Sequence, residues 1–128
     1  MVIIDTNIII DHLRQSSGGD TLLMKLVKKM PKEILCVSLV TIQELYEGES
    51  TRDPQKEELL LHTIAPLKIL PYTHEIAQYA GEIARDLKNP IEFADAAIAA
   101  TVVIHNAALY TLNEKHFIGI HTLEFVRV

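Results

Sequence analysis

The stretch MVIIDTNIII, residues 1–10, decides the fold class because it joins a strand pattern directly to a helical one. Residues 2–4, VII, are a short apolar run of strand type. Residues from about 6 to 15 can form a helix that begins directly after this run. Asp5 lies at the junction, between two strongly apolar segments, and is the first candidate functional residue.

The same alternation of short apolar runs and longer helical patterns continues along the chain. We expect further strands at residues 34–38, 67–70, 108–111 and 123–128, and helices at 20–30, 39–49, 55–64, 73–87 and 92–106. Strands separated by helices predict a mainly parallel sheet covered on both faces. The sequence therefore predicts a three-layer α/β/α fold, and residues 1–128, without linker or repeat, are expected to form one domain.

Polar residues predict where some of the helices begin. Residues 16–20, SSGGD, are typical of a turn, and Asp20 is expected to be the N-cap of the helix that follows. Thr41 and Glu44 have the spacing of a capping box, but they lie two or three residues inside the predicted start of their helix.

The composition restricts the class of protein. No window approaches the ~18 consecutive apolar residues of a membrane span, and no basic leader precedes an apolar signal region. We therefore expect a cytoplasmic protein without membrane attachment. The net charge of −5 argues against a broad electrostatic contact with nucleic acid, although acids gathered around divalent cations also count as negative. The six histidines show no compact zinc spacing, so no zinc site is predicted.

Two aspartates stand in apolar surroundings. Asp5 follows the first predicted strand, and ligands of parallel sheets lie outside the carboxyl ends of the strands. The alternative for Asp5 is that it caps the helix that follows. Asp95 belongs to a helix that is apolar almost all the way round and hence buried, where an unpaired charge costs several kcal/mol, roughly. A functional role for Asp95 is favoured over a first-turn acid that still touches water.

Three further polar residues are ambiguous when each is considered alone. Glu44 falls off the apolar stripe of its helix, and Asn113 follows a predicted strand but could equally be a turn residue. Glu92 shares a helical face with Asp95, either as an ordinary first-turn glutamate or as a group close to a metal. Asp5 and Asn113 both follow predicted strands, and Asp95 begins the helix that leads to the second of them. Their positions therefore favour a common site.

Three stretches of the chain resemble the motifs of the PIN-domain family, in the variety of the VapC-type toxins. They are VIIDTNIIID at residues 2–11, VSLVTIQELYEG at 37–48 and FADAAIAATVVIHNAALYTLNEKHF at 93–117. The resemblance spans nearly the whole chain in the right order. It implies that Asp5, Glu44 and Asp95 match the three acids of the family's metal site.

The chain also departs from the family pattern at one position. The fourth acidic position falls on Asn113, where an amide leaves one fewer negative charge to hold a second metal. Thr6 and Thr111 match the family's small hydroxyl positions, which the resemblance implies hydrogen-bond the carboxylates or the attacking water. Eight basic residues are expected to be mostly solvated charges, of which a few could steady RNA phosphates, and the sequence does not distinguish which: Arg14, Lys25, Lys28, Lys29, Arg52, Arg85, Lys88 and Lys115.

The resemblance implies a Mg²⁺- or Mn²⁺-dependent endoribonuclease, the toxin of a type II toxin–antitoxin pair, which hydrolyses RNA phosphodiesters with metal-activated water. It also implies a cognate antitoxin and a homodimer, and the apolar-rich helices of so short a chain favour an uncovered patch for self-association.

The sequence leaves two alternatives open and disfavours a third. One is an RNA-processing nuclease of this fold without a toxin role, and another is a catalytically weak protein that binds RNA or a partner. A phosphatase of the haloacid-dehalogenase type is disfavoured, because Asn7 stands where the second aspartate is required.

Overall fold

Strands and helices alternate along the residues that the computed structural model describes, 1–15 and 18–128. The strands are β1 (Val2–Ile4), β2 (Leu35–Ser38), β3 (Lys68–Leu70) and β4 (Ala108–Tyr110). The α-helices are α1 (Thr6–Arg14), α2 (Leu22–Lys29), α3 (Leu39–Glu47), α4 (Pro54–Ile64), α5 (His74–Asp86) and α6 (Phe93–Ile104). Two 3₁₀ helices cover Glu49–Arg52 and Glu114–Phe117. Ser16 and Ser17, and with them part of the predicted turn, lie outside the described residues.

The strands form a parallel sheet in the order β3-β2-β1-β4, which confirms the predicted α/β class. β1 lies between β2 and β4, so its three residues are almost completely buried. Successive side chains of a strand point to opposite faces, and Ile3 accordingly packs with α5 and α6 while Ile4 packs with α1 and α2. The sheet is therefore the middle of three layers.

Helix α6 is the most buried helix of the core, and it ends in a way that leads straight into β4. Asn106 has a φ of 53°, a left-handed conformation that asparagine tolerates at helix ends. The amide of Asn106 donates to Val103 O and that of Ala107 donates to Val102 O, which is the Schellman pattern. This ending brings β4 alongside β1, with its carboxyl end next to Asp5.

The predicted N-cap of α2 was wrong by one residue. The cap is Thr21, whose Oγ1 accepts from Met24 N at 3.2 Å. Asp20 instead forms an ion pair with Lys28 at 2.7 Å. Thr41 and Glu44 are likewise not a capping box, because the N-cap of α3 is Ser38, whose hydroxyl accepts from Val40 N.

The strand predicted at residues 123–128 is reduced to one bridge between Phe125 and Leu109. β4 uses Ala108 N and Tyr110 O for hydrogen bonds to the β1 side. Backbone groups alternate between the two edges of a strand, so Leu109 alone bonds outward, to Glu124 O and Val126 N. A three-residue strand thus offers too few groups on its outer edge to build another strand. Within the described ranges, no helix has the length and apolar character needed to cross a membrane.

Candidate metal centre at the carboxyl edge of the sheet

The carboxyl ends of β1 and β4 meet at one edge of the sheet, and each is followed by a polar residue. Asp5 follows β1 and Thr111 follows β4. The Thr111 hydroxyl donates to Asp5 Oδ2 at 2.7 Å. Two residues far apart in sequence are thereby joined at the place where parallel sheets present ligands.

Asp5 is held on both carboxylate oxygens. Oδ2 accepts from Thr111, and Oδ1 accepts from the amide of Thr6 at 2.7 Å, so Asp5 is also the N-cap of α1. The residue is only 5% exposed. Burial raises the pKa of Asp5, and the hydrogen bonds from Thr111 and Thr6 oppose that shift. The capping interpretation is confirmed, and the cap itself fixes the carboxylate at the edge of the sheet.

Thr6 connects Asp5 to Glu44. Its amide donates to Asp5, while its hydroxyl donates to Glu44 Oε1 at 2.6 Å. Thr6 Oγ1 also lies 3.0 Å from the fully buried hydroxyl of Thr41. Burial raises the pKa of Glu44, the Thr6 hydrogen bond opposes the shift, and the charges of nearby acids, Asp5 first among them, add to it. Thr6 thus donates hydrogen bonds to the carboxylates of both Asp5 and Glu44.

Asp95 lies in the first turn of α6 with a side chain that is 18% exposed. Burial raises its pKa to about 6, and the negative charges of Asp5, Glu92 and Glu44 contribute in the same direction. His116 acts the other way, although its Nδ1 is 3.6 Å from Asp95 Oδ2, too far for a hydrogen bond. Asp95 therefore faces the other acids without a hydrogen-bonding partner in the described part of the chain.

Asn113 reaches the site through its backbone. Its amide donates to Thr111 Oγ1 at 3.1 Å, just before the 3₁₀ helix Glu114–Phe117. Its side chain makes no hydrogen bond within residues 1–15 and 18–128. Glu92 is exposed and makes no capping hydrogen bond at the start of α6, so it acts on the site by its charge.

Two residues of the site were missed from the sequence. Asn7 Nδ2 donates to Thr111 Oγ1 at 3.3 Å, and Asn7 Oδ1 accepts from Leu112 N at 3.3 Å. Because Thr111 then receives hydrogen bonds from Asn7 and Asn113, its own hydrogen is left for Asp5. His116, judged from the sequence only for zinc spacing, faces Asp95. The sequence signal that could have identified these two residues is their distance from predicted site residues. Asn7 follows Asp5 by two residues, and His116 follows Asn113 by three.

The donor set fits a hydrated divalent cation. Among the residues described, no three His, Cys, Asp or Glu side chains are arranged as a complete ligand set. Mg²⁺ commonly takes only one or two carboxylates and keeps several waters. Burial first, and then the negative charges of Asp5, Glu92 and Glu44, raise the pKa of Asp95, and a cation would relieve the repulsion between these charges. Asp5, Glu44 and Asp95 are the carboxylates that this edge of the sheet offers to such a cation.

Comparisons with known proteins cover nearly the whole chain. The PIN domain family matches residues 2–119. Ribonuclease VapC10 of Mycobacterium tuberculosis is 32% identical over 120 residues, which are 91% of this chain and 86% of that protein. A chain of a toxin-antitoxin complex from Klebsiella pneumoniae is 25% identical, with a TM-score of 0.74 over 96% of this chain and 95% of that chain.

A second solved structure supports the fold alone. It is VapBC2 from Rickettsia felis bound to a DNA fragment from their promoter, at 24% identity, with a TM-score of 0.85 over 98% of each chain. The match to the family extends from β1 past β4, and so includes every strand and every acid of the candidate site. The chain belongs to the PIN domain family.

Proposed function

We propose that this protein is a Mg²⁺- or Mn²⁺-dependent endoribonuclease, the toxin of a type II toxin–antitoxin pair, with residues 1–128 acting as one nuclease domain in the cytoplasm. The observation that carries the proposal is the arrangement of the carboxylates. Asp5 is fixed on both oxygens by Thr6 and Thr111, and Thr6 also holds Glu44. The charges of Asp5 and Glu44 act directly on Asp95.

Asp5 and Asp95 would hold the cation, which when bound supplies Lewis-acid polarisation of a phosphoryl oxygen and a lowered pKa of water. Glu44, with Oε1 engaged by Thr6, would orient a water with its other oxygen. Thr111 and Thr6 keep the Asp5 carboxylate in one orientation. The proposed role of Asn113 is to direct Thr111 towards Asp5 through its amide.

Water is the attacking group in this proposal. Cys36 is completely buried in β2, and the hydroxyl of Ser38 caps α3, so neither is placed as a nucleophile. Attack of water on phosphorus expels the 3′-oxygen. The products are then a 5′-phosphate and a 3′-hydroxyl, in contrast to the cyclic phosphate left by attack of a ribose 2′-hydroxyl.

The proposed substrate and partner follow from the names of similar proteins. VapC10 is a ribonuclease by name, which supports RNA as the substrate. The similar chain from Klebsiella pneumoniae belongs to a toxin-antitoxin complex, which supports a cognate antitoxin. Growth arrest on expression without an antitoxin, relieved by Asp5→Ala, is expected for a toxin. Cleavage of RNA without growth arrest would favour an RNA-processing nuclease instead.

We also propose a homodimer. Large apolar side chains are exposed on α3 and α6, two helices that pack against each other. Phe93 is 75% exposed, Leu39 48% and Tyr46 42%. Exposed apolar surface of this kind often marks an interface. Light scattering at tens of micromolar is expected to give twice the mass of 14.4 kDa, and a monomer mass would refute the dimer.

The decisive assay incubates the purified protein with structured RNA and Mn²⁺. Wild type should cut and leave 5′-phosphates, whereas Asp5→Ala and Asp95→Ala should not, and EDTA should stop the reaction. Equal cleavage in all three proteins, or cleavage in EDTA, would contradict the proposal. RNA binding without cleavage would support the catalytically weak alternative, which the amide at position 113 favours.

A further inference from the structure

Three cavities border the carboxylates of the site, and they differ in chemistry. One has a volume of about 250 Å³ and is lined by Glu44, Glu47 and Glu92, with no lysine or arginine. A phosphate chain would be repelled there. A second, of about 570 Å³, also touches Glu44 and includes Arg14 and Lys56 beside aliphatic side chains of α1, α3 and α4, but Asp95 does not line it. Neither presents phosphate donors beside Asp95.

The third cavity lies between residues 87–92, which join α5 to α6, and residues 115–118, at the second 3₁₀ helix. Its volume is about 310 Å³, and Asp95 forms part of its wall. Beside Asp95 the cavity has one other acid, Glu92, and three polar side chains that are not acidic, Lys115, His116 and Asn89. All three can donate hydrogen bonds to phosphate oxygens. We call this cavity the Asp95 cleft.

We propose that the Asp95 cleft binds the nucleotide next to the scissile phosphate of single-stranded RNA, with Lys115 and His116 against its phosphate. The inference rests on the proposed nuclease function and adds the path of the substrate strand. A nucleotide seated in this cleft has its phosphate next to an acid of the proposed metal site. The RNA strand then leaves the proposed metal site in the direction away from the cavity of about 250 Å³ between α3 and α6.

Lys115 is free to contact a phosphate. Within the described ranges its ammonium group makes no ion pair and no hydrogen bond. Its neighbour Glu114 is instead bonded to Arg127 at 2.7 Å, so it does not compete for Lys115. His116 follows Lys115 in sequence, is 48% exposed in its side chain and has its Nδ1 3.6 Å from Asp95 Oδ2. The cleft therefore offers donors that the folded chain itself does not use.

The other part of the cleft suits a nucleobase. Pro90, Ile91 and Ile118 line it, and Ile118 is 69% exposed. An isoleucine this exposed gains nothing from the core of the protein. Nucleobases pack against flat or apolar side chains while their phosphates face donors. The apolar end of the cleft and the end with the donors Lys115 and His116 match the two ends of one nucleotide.

Lys115→Ala tests the phosphate contact. It should lower kcat/KM for a single-stranded oligoribonucleotide by about tenfold or more, because a charge-assisted hydrogen bond is lost. The plot of log kcat/KM against log salt should also become shallower by about 0.7, the effect of one phosphate contact. Lys115→Arg should retain most of the activity, since it keeps the charge and the donors.

Lys25→Ala is the matched control, since Lys25 is an exposed lysine of α2 that lines none of these cavities. It changes the net charge equally and should leave the salt slope unchanged. Calorimetry should give the same Mn²⁺ affinity for Lys115→Ala as for wild type. Equal salt slopes for Lys115→Ala and Lys25→Ala would overturn the proposal.

Photocrosslinking locates the strand without requiring cleavage. An oligoribonucleotide with a single 4-thiouridine should crosslink to peptides containing Pro90, Ile91 or Ile118. Crosslinks only to α1 and α4 would overturn the Asp95 cleft while leaving the nuclease function intact. If the oligoribonucleotide crosslinks to the Asp95 cleft but the protein does not cut RNA, the proposed binding of RNA in the cleft is supported and the proposed nuclease function is refuted.

Discussion

The hydroxyl of Thr111 donates to the Oδ2 atom of Asp5 at 2.7 Å, although the two residues are 106 positions apart in sequence. The contact exists because β1 and β4 are parallel neighbours, with Ile4 in register with Tyr110. Each strand is followed at the same edge by one of the two side chains. The sheet thus sets the orientation of the carboxylate before any cation binds.

Thr111→Val should weaken the site without unfolding the protein. Valine has nearly the shape of threonine but cannot donate to Asp5, which would keep only the hydrogen bond from Thr6. Loss of a partner that orients a ligand commonly reduces metal affinity or activity by about 10–100-fold. We expect a loss of that size in Mn²⁺ affinity by calorimetry. Thr111→Ser should stay close to wild type, and a serine variant as weak as valine would contradict the role of the hydroxyl.

Asp95→Asn should stabilise the metal-free protein at neutral pH. The pKa of Asp95 is about 6 in the fold, against 3.8 for an ordinary aspartate. Between these values the native state binds more protons than the unfolded state, so stability falls as pH rises from 3.8 through 6. In EDTA, the Tm of Asp95→Asn should exceed that of wild type at pH 7, and the difference should disappear below pH 4.

Glu58→Gln is the control for this experiment, because its side chain is 75% exposed on α4, where a pair with His62 at 3.8 Å contributes little to stability. It should not alter the pH dependence of the Tm. Mn²⁺ should raise the Tm of wild type but not of Asp95→Asn, since ligand that binds only the native state stabilises it. A large loss of stability in Asp95→Asn at pH 7 would indicate that Asp95 has a structural partner.

The fold was predictable because its signal is local. Each strand of the sheet is a short apolar run, and each helix follows with its own periodicity, so the alternation alone predicts parallel pairing. The prediction of a strand at residues 123–128 was wrong because such a strand depends on the outer edge of β4. Only Leu109 points its backbone N–H and C=O to that edge. No pattern of side chains in the sequence indicates how many backbone groups of β4 face its outer edge.

Long-range contacts explain the other differences. Asp20 and Thr21 are both good N-caps, and Thr21 is the one buried, with its hydroxyl 2.7 Å from the ring of His12. Asp5 could be predicted because it directly follows a predicted strand, whereas Thr111 was identified only through the resemblance to the PIN-domain family. The role of Asn7 could not be predicted, because it depends on contact with Thr111, 104 residues away.

Asn113→Asp should increase the affinity for Mn²⁺. The substitution restores the acid at the position where this chain departs from the family pattern, and it keeps the backbone amide that donates to Thr111. A fourth negative charge near Asp5 and Asp95 favours a bound cation but adds repulsion without one. We expect tighter or additional Mn²⁺ binding by calorimetry, together with a lower Tm in EDTA. Unchanged binding would show that the side chain at position 113 faces away from the site.

Asn7→Ala should affect the site through Thr111. Asn7 donates to Thr111 Oγ1 and accepts from Leu112 N, so it restricts the Thr111 hydroxyl to donating towards Asp5. Removing the amide frees that hydroxyl to rotate and should cost about 1–2 kcal/mol of stability, the net value of two typical hydrogen bonds. The matched variant Asn7→Asp keeps an acceptor for Leu112 but cannot donate to Thr111.

When either substitution at Asn7 is combined with Thr111→Val, the changes in Mn²⁺ affinity should therefore not be additive. If Asn7 acts by orienting Thr111, Asn7→Ala should reduce Mn²⁺ affinity in the wild-type background but have little further effect in Thr111→Val, because residues in one hydrogen-bond network are coupled. The measurement is a double-mutant cycle by calorimetry, with Tm values in EDTA to follow stability separately. Strictly additive losses in Mn²⁺ affinity would mean that Asn7 acts on the site independently of Thr111.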